Sequence, residues 1–294
     1  MERFLSKIKK VNETALACLV ILIGMLVVSI FYKPEDAKSI KEEPQIEPKI
    51  ESSSNTPKSY GCNIMTIDIN GGITTVAEEY SDISADGVVD LLKDTDDNDN
   101  MKGVLIRIDS PGGTPVGSQI VMDAIKRMQK PAVALIREYG TSGAYLVASA
   151  ADTIIASPMS DVGSIGVTLS YLENAEENEK NGLKFVELSA GRFKDAGNPD
   201  KKLTKEERAL FQRDLNILYQ QFIELISENR NIPIEKVRKL ADGSSLLGVL
   251  AIKEGLIDQL GDQETAREWF AKQLDEDIDE IVFCDPVKTP QNGE

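Results

Sequence analysis

Histidine is absent from all 294 residues of the chain. A serine nucleophile here has no imidazole to take its proton, which excludes the Ser-His-Asp arrangement and leaves lysine as the strongest alternative base. The only other soft metal ligands, Cys18, Cys62 and Cys284, lie far apart in sequence, which argues against a zinc site. Positive charge is also scarce: 33 Lys and Arg stand against 49 Asp and Glu, a formal net charge of −16. Such a surface repels nucleic acid and anionic headgroups, so neither is expected as a partner.

Charge of either sign is missing from one stretch, about Ala15 to Tyr32. At about 1.5 Å per residue this is roughly one helical crossing of a bilayer core. Its charged flanks and lack of a polar stripe argue against a buried core helix. The bulky end Ser29-Ile30-Phe31-Tyr32 does not suit signal cleavage. We therefore expect an uncleaved transmembrane anchor over 11–32. Arg3, Lys7, Lys9 and Lys10 in the 1–10 tail hold the N-terminus in the cytoplasm and send the remainder to the exported side of the inner membrane. Residues 33–59, rich in Pro, Glu, Lys and Ser, read as a flexible linker. Residues 60–294 are long enough for one sizeable core. Cys62 and Cys284 stand at its two ends, where either a disulfide or two separate buried thiols would fit.

Within that domain, short apolar runs alternate with amphipathic stretches. Strands are expected at 62–69, 103–108, 131–136, 153–156, 162–169 and 183–188, and helices at 85–94, from 115, and at 173–181. Strand-helix-strand order implies parallel crossovers and an α/β core with a helical C-terminal part. The longest helix opens at Thr204 with Glu207 three positions on, a capping box, and runs to about Arg230. Its apolar positions Leu210, Phe211, Leu215, Leu218, Phe222, Leu225 and Ile226 should face inward or toward another subunit. No internal repeat is visible in 60–294.

Two strand-to-helix junctions carry candidate chemistry. The first, Asp109-Ser110-Pro111-Gly112-Gly113, ends a strand just before a helix, so the Gly113 amide can point outward as a fixed donor. The second, Tyr139-Gly140-Thr141-Ser142-Gly143, places Ser142 at or near a helix N-terminus, where a hydroxyl commonly caps. Parallel strands ending at one sheet edge would bring Ser142 near Gly113, with the Gly143 amide as a second oxyanion donor. A base could come from the loop Gly191-Arg192-Phe193-Lys194-Asp195, provided the Lys194 amine is neutral when it acts. Read locally, each piece is equally an ordinary turn, cap or surface loop.

Taken together, these pieces resemble the signal peptide peptidase A family of bacterial serine peptidases. The motifs are Asp109-Ser110-Pro111-Gly112-Gly113, Thr141-Ser142-Gly143-Ala144-Tyr145, Gly163-Ser164-Ile165-Gly166-Val167, Gly191-Arg192-Phe193-Lys194-Asp195, and Ala241-Asp242-Gly243 through Gly261. They stand in family order over roughly 62–262 and occur once, as in the short single-domain members, where a single domain supplies both Ser and Lys and ring closure needs identical copies. Ala144 and Arg192-Phe193 depart from commoner family residues without removing a catalytic atom. The resemblance implies Ser142 as nucleophile, Lys194 as general base, Gly113 and Gly143 as oxyanion donors, and Ser164 orienting the lysine amine. It implies a fold similar to the Clp proteolytic subunit and the crotonases, with no cofactor or metal. It also implies a homo-oligomeric ring or dome, with the dyad often completed between subunits, acting on apolar peptides such as signal-peptide remnants. Two rival readings are a relative with one dedicated membrane-protein substrate, and a crotonase-like binding protein that lost the chemistry.

Overall fold

The β-branched run Gly-Val-Leu-Ile-Arg-Ile-Asp-Ser forms strand β4 (Gly103–Ser110), the centre of the domain. Successive side chains on a strand point to opposite faces, and here both faces are covered. Ile106 and Ile108 enter one apolar cluster, whereas Leu105 enters another. The computed structural model describes residues 61–76 and 82–284. The expected basic tail, membrane anchor and linker lie outside the described residues. No helix among the described residues is long and apolar enough to cross a membrane.

Four more strands join β4 in parallel: β1 (Ile64–Asn70), β5 (Ala132–Thr141), β6 (Thr153–Ala156) and β9 (Gln259–Leu260), in the order β1-β4-β5-β6-β9. Strand β7 (Asp161–Gly163) runs parallel to the end of β5, and β8 (Ser245–Leu247) pairs antiparallel with β7. A small parallel pair, β2 (Gly72–Thr74) and β3 (Asp82–Ser84), stands apart. Helices α1 (Ala85–Asp97), α2 (Pro115–Arg127) and α3 (Gly143–Ala148) bury Val88, Val121 and Val147 in the first cluster. On the other face, Phe270 of α8 (Gln263–Leu274) packs with Leu105, Val133, Leu135 and Ile155. The α/β core expected from the sequence is therefore present.

Between these lie α4 (Ala175–Lys180), α5 (Lys205–Arg230), α6 (Ile234–Leu240) and α7 (Gly248–Glu254). Helix α5 begins as expected: Thr204 Oγ1 accepts from the Glu207 N–H, and Glu207 Oε2 accepts from the Thr204 N–H at 2.9 Å. Only its C-terminal half is deeply packed, through Phe222, Ile223 and Ile226, while Leu210, Phe211, Leu215 and Leu218 remain half-buried.

Two expected strands differ. The 162–169 run stops being a strand at Gly163, because Ser164 turns to a φ of 49° and leaves the sheet. Residues 183–188 form no strand and pair with no other strand among the described residues. Leu183, Val186 and Leu188 are exposed at 61%, 67% and 95%. A short apolar run becomes a strand only where another edge is available to pair with it.

The two ends of the domain are sewn together. Cys62 and Cys284 form a disulfide, with Cα atoms 4.9 Å apart across 222 residues of sequence. Around it the Asn63 N–H donates to Val282 O, the Cys284 N–H donates to Ile64 O, and Asn63 Nδ2 donates to Glu280 O.

Candidate active site

Three parallel strand ends converge on one edge of the sheet. Strand β4 runs into Pro111-Gly112-Gly113, β5 into Ser142, and β7 into Ser164; the registers Ser110 with Gly140 and Thr141 with Gly163 set them side by side. Gly112 has a φ of 109°, and a Cβ there would meet Gly143 N at 2.8 Å and Ser142 Cβ at 2.9 Å. Only glycine lets the first turn approach the second this closely.

Ser142 occupies the N-cap position of α3, but its hydroxyl makes no capping hydrogen bond. The capping expectation is thus corrected, and the backbone gives the reason. At φ 53° and ψ −127° Ser142 lies in a region that non-glycine residues rarely enter, at a cost of about 1–3 kcal/mol. Its N–H donates to Gly163 O at 2.7 Å, which holds the turn, and the side chain lines a cavity. Behind it Tyr145 is fully buried and its hydroxyl donates to Leu256 O at 2.8 Å, fixing α3; burial pushes that hydroxyl's pKa up.

The Gly113 amide has no acceptor among the described residues; its neighbours Ile73 N–H and Thr114 N–H bond to Gly112 O and Ile73 O instead. Gly143 is the first residue of α3, so its N–H has no intrahelical acceptor. A Cβ on Gly143 would lie 3.3 Å from Gly113 N, so the two amides are close neighbours beside Ser142. Two unpaired donors near a hydroxyl are what an oxyanion formed at that hydroxyl would need.

Ser142 borders two cavities. One, of about 180 Å³, is walled by Leu146, Val167, Leu218, Phe222 and Leu225, with Gly113, Ser118 and Gly143 at its side. The other, of about 460 Å³, is lined by Pro111, Ser164, Tyr219 and Asp242 among others. Gly166, Val167 and Thr168 border both. Ser164 is half-buried, lines the second cavity, and its hydroxyl donates to Gly243 O at 2.9 Å.

Lys194 does not join them. It is exposed, it borders neither cavity, and its amine has no hydrogen-bond or ion-pair partner among the described residues. The folded chain thus gathers Ser142, Gly113, Gly143 and Ser164, and leaves Lys194 apart on the 191–197 turns. The α5 side chains Leu218, Phe222 and Leu225 were legible as an apolar stripe but not as a cavity wall. Ser118, fully buried with an unpartnered hydroxyl beside Gly143, gave no sequence signal at all. No group of three or more potential metal-ligating side chains converges among the described residues.

The sheet and its cavities place this chain among serine hydrolases built on an α/β core. It belongs to peptidase family S49, whose model matches residues 124–277, more than half of the chain. A candidate protease of Methanocaldococcus jannaschii is 35% identical over 211 residues, covering 71% of this chain and 67% of the relative. A protein of Enterococcus faecium named as a candidate signal peptide peptidase SppA is 29% identical over 217 residues, 71% of this chain and 63% of the relative. The chloroplastic serine protease SPPA of Arabidopsis thaliana is 32% identical over 184 residues, 62% of this chain but 27% of that longer protein. The chain is a serine peptidase of the signal peptide peptidase A type.

Proposed function

We propose that this peptidase is anchored in the membrane by residues 11–32. It cleaves apolar peptides, such as signal-peptide remnants, through an acyl-enzyme on Ser142, with Lys194 of a neighbouring copy as the base. The observation that carries this reading is Ser142 itself: a strained, uncapped serine at a cavity, beside two unpaired amides. In the first step Ser142 Oγ bonds to the scissile carbonyl carbon while its proton passes to the neutral Lys194 amine. The oxyanion is held by the Gly113 and Gly143 amides. The ammonium then returns the proton to the departing peptide nitrogen, and water deacylates Ser142 by the reverse path. Ser164, on the wall of the second cavity, orients the amine.

Two observations support a base supplied by a second copy. Lys194 lies away from both cavities of its own chain, and the segment before it exposes Leu172, Leu183, Val186 and Leu188, a surface that a monomer would leave wet. A closed ring of identical copies would cover it. The apolar cavity walls suit apolar side chains, and the unpaired backbone at 166–168 between the cavities suits an extended peptide. The Cys62–Cys284 disulfide favours an oxidising compartment and so the exported side.

Full-length enzyme in detergent, treated with a fluorophosphonate, should be labelled at Ser142. Ser142→Ala and Lys194→Ala should both be silent while folded. Absence of labelling in the wild type would instead favour the binding protein that lost its chemistry.

A further inference from the structure

We propose that Lys201 is a positioning residue for catalysis: its ammonium clamps the segment that presents Lys194. The inference rests on the reading of Lys194 as the base. Between α4 and α5, residues 181–204 have no helix or strand, and the apolar side chains Leu183, Val186, Leu188 and Phe193 are exposed. Apolar packing therefore does little to fix the segment. Polar contacts hold it instead: Pro199 O accepts from the Asn174 N–H at 2.7 Å, and an ion-pair cluster gathers the stretch around Lys194. Lys201 Nζ lies 3.1 Å from Glu187 Oε2, 3.5 Å from Asp195 Oδ2 and 2.9 Å from Glu207 Oε1.

The three carboxylates come from before Lys194, beside it and after it, so one ammonium brackets the residue on the chain. Glu207 is 4% exposed and already fixed by the α5 cap, which makes it the immobile end of the clamp. Asp195 Oδ2 is buried and has no hydrogen-bond donor, and among the described residues Lys201 is the one cation paired with it, while Oδ1 accepts from Asn198 Nδ2 at 3.1 Å. Glu187 is further held by the Ser189 hydroxyl at 2.6 Å. The Lys201 side chain is only 20% exposed, and the Glu207 hydrogen bond, followed by that of Glu187, holds its pKa well above the ordinary lysine range.

A clamp serving only the helix start would need Glu207 alone. The arms to Glu187 and Asp195 close a loop whose contents include Lys194. Without Lys201, three carboxylates would face one another with no cation between them, and their repulsion would open the loop that carries Lys194. Displacement of a catalytic group by about 1 Å is enough to lower a rate about 10²-fold.

The test uses the full-length enzyme and the inactivation kinetics of a fluorophosphonate. For Lys201→Met we expect kinact at least about tenfold lower and KI within about twofold of wild type. Lys201→Arg, which keeps the charge and can reach several carboxylates, should recover most of the rate. Wild-type kinact in Lys201→Met, with Lys194→Ala silent, would overturn the clamp and leave the base reading intact. So would a loss that matches a lower folded fraction. Labelling of Lys194→Ala at the wild-type rate would remove the base reading, and the clamp with it. Should Lys201→Met not fold, Glu187→Gln spares the α5 cap and decides the matter: reduced kinact supports the clamp and unchanged kinact overturns it.

Discussion

Ser118 Oγ fills the space beside Gly143: a Cβ on that glycine would sit 2.1 Å from the hydroxyl oxygen. Gly143→Ala must therefore push Ser118 or the start of α3 aside, and with it the amide that faces the oxyanion position. We expect fluorophosphonate labelling about 10²–10³-fold slower, the usual effect of losing one such donor, with the far-ultraviolet circular dichroism unchanged. Labelling at the wild-type rate would mean that the Gly143 amide has no part in the chemistry.

Ser118→Ala should behave differently. The Ser118 hydroxyl is buried without a partner, and removing an unsatisfied polar group is neutral or stabilising. The melting temperature should equal or exceed that of wild type in scanning calorimetry. A fall of several degrees would show that the hydroxyl has a partner in solution.

The seam at the domain ends gives a stability prediction. Cross-linking residues 222 apart removes much chain entropy from the unfolded state, so Cys284→Ser should cost about 2–5 kcal/mol. For a domain of this size each kcal/mol lowers the melting temperature by about 2–4 °C. Thermal unfolding of the wild type with and without a reductant should reproduce the shift, and the variant should no longer respond to the reductant.

A pH dependence follows from the start of α5. Glu207 titrates below the ordinary glutamate range, chiefly through the Thr204 backbone hydrogen bond and then through Lys201. A carboxyl whose pKa is depressed on folding adds stability that is present above its unfolded pKa of about 4.3 and is lost as pH falls through the folded value. Urea midpoints measured from pH 6 downward should fall more steeply in wild type than in Glu207→Gln. Parallel slopes would contradict the assignment.

The parts of the fold legible in the sequence are those whose cause is local. The β-branched run at 103–110, the Thr204–Glu207 box and the two glycine turns each carry their own reason to form, and each formed. What the residues could not reveal depends on contacts distant in sequence. The 183–188 run is apolar enough for a strand but has no edge to join among the described residues. Leu218, Phe222 and Leu225 become a cavity wall only because α5 crosses the strand ends. The pairing of Cys62 with Cys284 needed the two domain ends brought within 4.9 Å. Within the site, Ser142, Gly113, Gly143 and Ser164 share a sheet edge, which parallel order dictates; Lys194 sits on an irregular segment, and no periodicity says where such a segment will point.

The most direct test of the central claim, a Ser142 nucleophile served by Lys194 from a neighbouring copy, is the activity of mixed assemblies. Ser142→Ala and Lys194→Ala enzymes, each inactive alone, are co-expressed and assayed for fluorophosphonate labelling. With random assortment about a quarter of the sites pair an intact serine with an intact lysine, so labelling should return to about that fraction of wild type. Mixed assemblies that remain silent would contradict the account.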